Sequence, residues 1–195
     1  MVSLIIAFSA IFFSFNTIDN TPIDRLGVKG PLEFNKTNFN LAWTDHPNDN
    51  YYIQEYLPIG EKTDRFNQML TIHLFDTDIN VEEAVKQKVK ELNARKITDP
   101  ICNFHITESP DGKEIIVDFL LGESKDDKMT IVEFNVYHYK RIEVAKNKKA
   151  LVVYAYSKRS YGDDITNFLK ALKDDRMNYL NQMISIGTPA LSISK

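Results

Sequence analysis

The run 101-ICNFHITESPDGKEIIVDFLLGESKDDKMTIVEFNVYHYKRIEVAKNKKALVVYAYS-157 decides the fold. It holds four β-rich segments in a row, Ile101 to Thr107, Glu114 to Leu121, Met129 to Val144 and Ala150 to Ser157. Each is parted from the next by a short turn cluster: Ser109, Pro110, Asp111 and Gly112, then Lys125 to Asp127, then Lys146 to Lys148. Connections this short force neighbouring strands to run antiparallel, because a parallel pair needs a crossover of a dozen residues or more. Upstream, Phe39 to Thr44, Tyr51 to Leu57 and Met69 to Phe75 read as three more strands, the first two joined by the turn residues His46 to Asn50. In the third, Leu70, Ile72 and Leu74 share one face and Thr71, His73 and Phe75 the other.

Two helices complete the pattern. Asn80 with Glu83 three residues later has the form of a capping box, and Val81, Val85, Val89 and Leu92 follow at helical spacing. A second helix is expected to start at a cap on Asp163 or Asp164, to carry Ile165, Phe168, Leu169, Leu172, Met183 and Ile184, and to end at Gly187. The expected architecture is α+β, a mostly antiparallel sheet of about seven strands ordered βββ-α-ββββ-α with helices packed on it. The expected core comprises Leu70, Ile72, Leu74, Val85, Val89, Leu92, Phe119, Phe134, Val136, Val153, Phe168, Leu169 and Leu172.

The chain of 195 residues divides on this reading into a signal peptide at 1–16, a linker at 17–36, one domain at 37–187 and a frayed tail at 188–195. The opening run MVSLIIAFSAIFFSF is uncharged and apolar, shorter than a membrane span needs, and the first basic residue after it is Arg25. It predicts export, to a bacterial periplasm or beyond the cell, although the basic residues that usually precede such a run are missing; the alternative is a cytoplasmic domain whose first strand or helix this is. A net charge of -3 offers no field for nucleic acid. Cys102 is the single cysteine, which rules out an intrachain disulfide, and within ICNFHI it reads as a small buried hydrophobe.

Residues 52–75, YIQEYLPIGEKTDRFNQMLTIHLF, resemble a pattern found in small exported bacterial proteins of unassigned function: a strand, Pro-x-Gly-Glu, an amphipathic turn and a Met-Leu-Thr-Ile strand. The turn aromatic, often Trp in that pattern, is Phe66 here. The order of elements is similar to the Mog1 and PsbP proteins, whose antiparallel sheet lies between helices. The resemblance implies that fold and an accessory or binding role in the envelope, and it identifies no site.

Motifs for chemistry are sparse. Asp76, Asp78, Asn80 and Glu83 begin like a calcium loop, but Val81 and Gln87 stand where the loop needs Gly and Glu. The four histidines have no metal spacing, no Gly-x-Ser-x-Gly elbow or phosphate-binding glycine loop occurs, and the Asn35-Lys36-Thr37 sequon reads as chance. No metal and no cofactor is expected. One constellation remains: Tyr137 and Tyr139 alternate with apolar residues in one strand, Tyr154 and Tyr156 in the next, and neighbouring strands can set them side by side. The competing reading lays these tyrosines under the second helix. The leading function is therefore a non-catalytic envelope protein that binds another envelope protein, a peptide or a glycan through Tyr137, Tyr139, Tyr154 and Tyr156 with His73 and His105. The rivals are an enzyme assembled from dispersed strand residues such as His73, His105 and Asp118, and a cytosolic interaction domain.

Overall fold

A computed structural model describes residues 21–145 and 148–193 of the protein. Residues 1–16, the expected signal peptide, lie outside the described residues. Along the chain come β1 (Leu32–Phe34), β2 (Thr37–Asn48), β3 (Tyr51–Leu57), β4 (Gln68–Phe75), α1 (Val81–Arg95), β5 (Asn103–Glu108), β6 (Glu114–Lys125), β7 (Lys128–Ala145), β8 (Lys148–Tyr161) and α2 (Ile165–Ile186).

All eight strands form one antiparallel sheet in the order β1-β2-β3-β4-β8-β7-β6-β5. This corrects the expected layout of about seven strands in βββ-α-ββββ-α order. Four strands precede α1, and the sheet curls into a half-barrel. The missed strand is β1, whose three residues are too few to show a period. It joins β2 through a turn in which Asn35 (φ 48°) and Lys36 (φ 59°) are both left-handed, the geometry that matches strand twist in a tight hairpin. The Asn35-Lys36-Thr37 match, read above as chance, falls at this turn. The backbone amide of Asn35 is held from α2 by Gln182 Oε1 at 2.7 Å.

The two long central strands, β7 and β8, alternate residues between two cores. On one face, Val81, Ala84, Val85 and Leu92 of α1 cover Phe75, Ile115, Val117, Phe119, Tyr139, Leu151 and Val153. On the other, Tyr179, Leu180 and Met183 of α2 meet Phe134, Val136, Tyr154 and Tyr156. The stretch expected to be a linker contributes, from Leu26 onward, to this second core, since Leu26 and Phe34 are buried and the Phe34 ring stacks on Tyr156 at 4.3 Å. A strand at one edge thus touches the fifth strand along the sheet, which is how the curl closes over its own face. The tail is not frayed as far as it is described: Ser192 donates its backbone N–H to Leu26 O at 2.8 Å, and Leu191 and Ile193 pack on the core.

α1 carries the expected capping box, with Glu83 N–H donating to Asn80 Oδ1 at 2.8 Å and Asn80 N–H to Glu83 Oε2 at 3.4 Å. That settles the acidic segment as a helix start. α2 begins after a turn of 3-10 helix at Gly162–Asp164, and neither Asp163 nor Asp164 caps it with a side chain. Of the expected core, Phe168, Leu169 and Leu172 are only half-buried, because α2 turns its more distal residues Tyr179, Leu180 and Met183 onto the sheet, and Val89 of α1 is half-buried at the edge of the other core. Arg176 anchors this half of α2, donating from Nε and a terminal nitrogen to the two oxygens of buried Asp118, both at 2.7 Å. Among the described residues no helix is long and apolar enough to cross a membrane.

Candidate functional site

The four tyrosines do not form one surface. Tyr137 lies opposite Ala155, and Tyr139 opposite Val153, whereas Tyr156 lies opposite Val136 and Tyr154 opposite His138. Directly opposed residues share a face, so Tyr137 and Tyr139 look toward α1 and the other two toward α2. Tyr139, Tyr154 and Tyr156 are at most 3% exposed. His73 of β4 is on the α1 face with Tyr137, its ring 6.2 Å away. His105 of β5 is exposed and pairs with Asp118 on the α2 face, so the triad of His73, His105 and Asp118 does not converge.

What the fold does bring together is a polar basin on the α1 face, beyond the end of the helix's cover. One rung of the sheet there runs Trp43–Glu55–Thr71–Ala155–Tyr137 across β2, β3, β4, β8 and β7. The rung beside it includes Met69, Ser157 and Asn135, followed by Arg159 opposite Glu133. The centre of the patch is made of small residues, Thr71, Ala155 and Ser157, all buried. Around them stand long side chains that are only half-buried: Trp43, Tyr51, Glu55, Glu133, Tyr137 and Arg159. The patch therefore contrasts small side chains at its centre with large ones around them. Beyond Tyr137 the covered part of the same face holds a cleft of about 20 Å³, between Ala84, Lys88 and Glu91 of α1 and Phe75, Tyr139 and Val153 below, room for a single water.

Most polar groups of the basin satisfy one another. Arg159 Nε donates to Glu133 Oε2, Asn135 Nδ2 to Glu133 Oε1 at 3.0 Å, and Ser157 Oγ to Asn135 Oδ1 at 2.6 Å. The Arg159 guanidinium also lies over the Phe66 ring at 4.1 Å. Phe66 is held in turn by Tyr161 Oη donating to its carbonyl, and Glu61 fastens the following residues by accepting the N–H groups of Asn67 and Gln68. The Pro-x-Gly-Glu turn thus builds the basin's far wall. On the near side Tyr51 and His73 share a hydrogen bond of 2.8 Å, and Lys88, paired with Glu91 at 2.9 Å, stands 5.4 Å from the Tyr137 ring.

Burial, reinforced by the Lys88 charge, lowers the His73 pKa to about 3 and keeps the ring neutral. Burial also raises the Tyr51 and Tyr137 hydroxyls, so neither ionises under physiological conditions. Glu55 differs from Glu133, the other carboxyl of the basin. Its carboxyl has no hydrogen-bond or ion-pair partner among the described residues, and burial, opposed by Arg159 and assisted by Glu133, raises its pKa to about 7. Its signal in the sequence was a charge in phase with Tyr51, Ile53 and Leu57 in a strand otherwise rich in apolar residues. Trp43 has the weaker signal, since a bulge between Leu41 and Trp43 shifts its phase.

Cys102 is buried, its thiol facing Leu92 O at 3.6 Å and pushed up in pKa by burial, as a packed and unreactive sulfur should be. Among the described residues no three His, Cys, Asp or Glu side chains are placed to hold a metal ion.

One curled sheet with a helix packed on each face defines a small sheet-based domain. The chain belongs to an uncharacterised protein family, whose model matches residues 26–188. That match begins at Leu26, the first buried residue among those described, and so includes residues 26–36 of the segment read as a linker. No curated protein and no solved structure matches the chain, and nothing supports the expected likeness to Mog1 and PsbP proteins.

Proposed function

We propose that this chain is a non-catalytic binding protein, exported to act in the bacterial envelope, which holds a small ligand over the basin on its α1 face. The observation that carries this reading is the small-residue floor of Thr71, Ala155 and Ser157 ringed by aromatic and charged side chains, with one carboxyl left unpartnered beside it. Ligand sites combine apolar walls with a few placed polar groups in this way. Binding fits better than turnover because the groups that could act on a substrate are committed: Ser157 to Asn135, Glu133 to Arg159, and His73 to Tyr51 at a depth that keeps it neutral. The uncharged apolar run at residues 1–15 is the support for export.

The test fills the floor. Ala155→Leu should abolish capture of any small molecule that wild-type protein carries from its host, read by native mass spectrometry, while circular dichroism confirms the fold. A bound mass that persists in the Ala155→Leu protein would overturn the assignment.

A further inference from the structure

We propose that the basin takes an organic ammonium ion, with Glu55 as its counter-ion and the rings of Trp43, Tyr51 and Tyr137 as its walls; this rests on the basin being a binding site at all. Cations on carbon skeletons are recognised by a carboxylate combined with aromatic faces, since the ring quadrupole attracts positive charge without demanding hydrogen bonds. Glu55 and Trp43 are directly opposed in neighbouring strands, which sets their Cβ atoms about 5 Å apart on the same face. Tyr51 precedes Glu55 by four residues in β3 and so projects to that face as well. Tyr137 closes the rung from the other side, and its ring already has one ammonium near it, that of Lys88 at 5.4 Å.

The charge inventory favours a cation. The groups around Glu55 are Asp45 from β2, Tyr51 from β3, His73 from β4, Arg159 from β8, Glu133 and Tyr137 from β7, and Lys88 with Glu91 from α1. Arg159 has Glu133 as its ion-pair partner and Lys88 has Glu91, while His73 is neutral, so Glu55, which feels the Arg159 charge at longer range, and the more distant Asp45 have no ion pair among the described residues. An anionic ligand would face these carboxylates with few donors to receive it, because the Asn135 amide, the Ser157 hydroxyl and the Arg159 Nε are already donating inside the basin.

Binding of a cation must also be proton-linked. With the Glu55 pKa near 7, a proton and an ammonium ion compete for one carboxylate, and affinity rises with pH through neutrality. Trp43 is the only tryptophan of the chain, so its fluorescence reports on this site alone. The probes are choline, ethanolamine and the neutral shape match of choline, 3,3-dimethylbutan-1-ol.

Choline is expected to change Trp43 emission saturably, about tenfold more tightly at pH 8 than at pH 6, as competition at one carboxyl requires. Ethanolamine, if it binds better than choline, identifies a primary ammonium ligand, and the reverse order a quaternary one; both outcomes support the proposal. Glu55→Gln should remove the pH dependence and weaken both cations at pH 8 at least tenfold. Equal binding of 3,3-dimethylbutan-1-ol and choline, or undiminished choline binding by Glu55→Gln, would overturn the ammonium assignment while the basin stands. Choline binding unaffected by Ala155→Leu would overturn the basin itself. Failure of both cations to perturb Trp43 at millimolar concentration also overturns the ammonium assignment.

Discussion

Replacing Glu55 with Gln should make the protein more stable, and only on the alkaline side. In the fold the carboxyl is raised from 4.5 to about 7, so the native state holds the proton more tightly than the unfolded chain does. The stabilisation that comes with that proton is complete below pH 4.5 and is lost as the pH rises through 7. A difference of this size sets a ceiling of about 3 kcal/mol, and the half-buried position of Glu55 keeps part of its hydration, so about 1–2 kcal/mol is expected. Gln resembles the protonated acid in shape and never ionises. Urea denaturation followed by circular dichroism should therefore find wild type and Glu55→Gln nearly equal at pH 4 and the variant ahead by that amount at pH 8. His73 acts oppositely, because its lowered pKa costs stability as the pH falls below 6.5, and it acts equally in both proteins. The difference between the two proteins isolates Glu55. A variant destabilised to the same extent at both pH values would show that the carboxylate has a structural partner and that the reasoning about its burial is wrong.

Arg176→Met removes both hydrogen-bond donors to the Asp118 carboxylate at a site 3% exposed and should cost about 3 kcal/mol in urea denaturation, part of it recovered by adding Asp118→Asn. Gly122→Ala places a Cβ 2.8 Å from the Ile101 side chain and 3.3 Å from Asp99 Oδ1, so a loss of about 1–3 kcal/mol is expected, and an unchanged midpoint would show that Ile101 moves aside freely. Phe168→Ala, at a half-buried position, should cost less than Leu180→Ala, for which about 2–5 kcal/mol is expected; the reverse order would mean that α2 packs through its other end. Intact-mass analysis of protein from the native host should find residues up to about Asn16 removed; retention of Met1 on cytosolic protein would end the export proposal.

The strands of residues 101–157 were legible because hydrophobic alternation and turn chemistry agree there, and the α1 start because Asn80 and Glu83 carry a local hydrogen-bond logic. β1 was hidden by its length. The basin was hidden for a different reason. Glu55 and Glu133 reach the same face through the β3–β4, β4–β8 and β7–β8 pairings, and the β4–β8 register, between strands distant in sequence, is set by tertiary packing that no local pattern reports. The tyrosines show the cost: one residue of slip between β7 and β8 separates a shared aromatic face from the observed division, with Tyr137 and Tyr139 on one side and Tyr154 and Tyr156 on the other. The polar residues Thr71 and His73 did stand on the face opposite Leu70, Ile72 and Leu74, and their presence in a central strand was the clearest trace of the basin.

The seam between β4 and β8 also governs how the chain can be made. β1 to β4 pair in sequence, and so do β5 to β8, but each series ends with its last strand in the middle of the sheet. A chain growing from its N-terminus completes β4, buried over nearly its whole length in the finished protein, long before Leu151 exists to pair with Phe75. Until then β4 offers an apolar strand with one open edge, the feature that recruits a second chain most readily. Fragments ending before β8 should therefore associate with one another through β4, and the last strand of the domain is in effect the one that keeps the first half soluble.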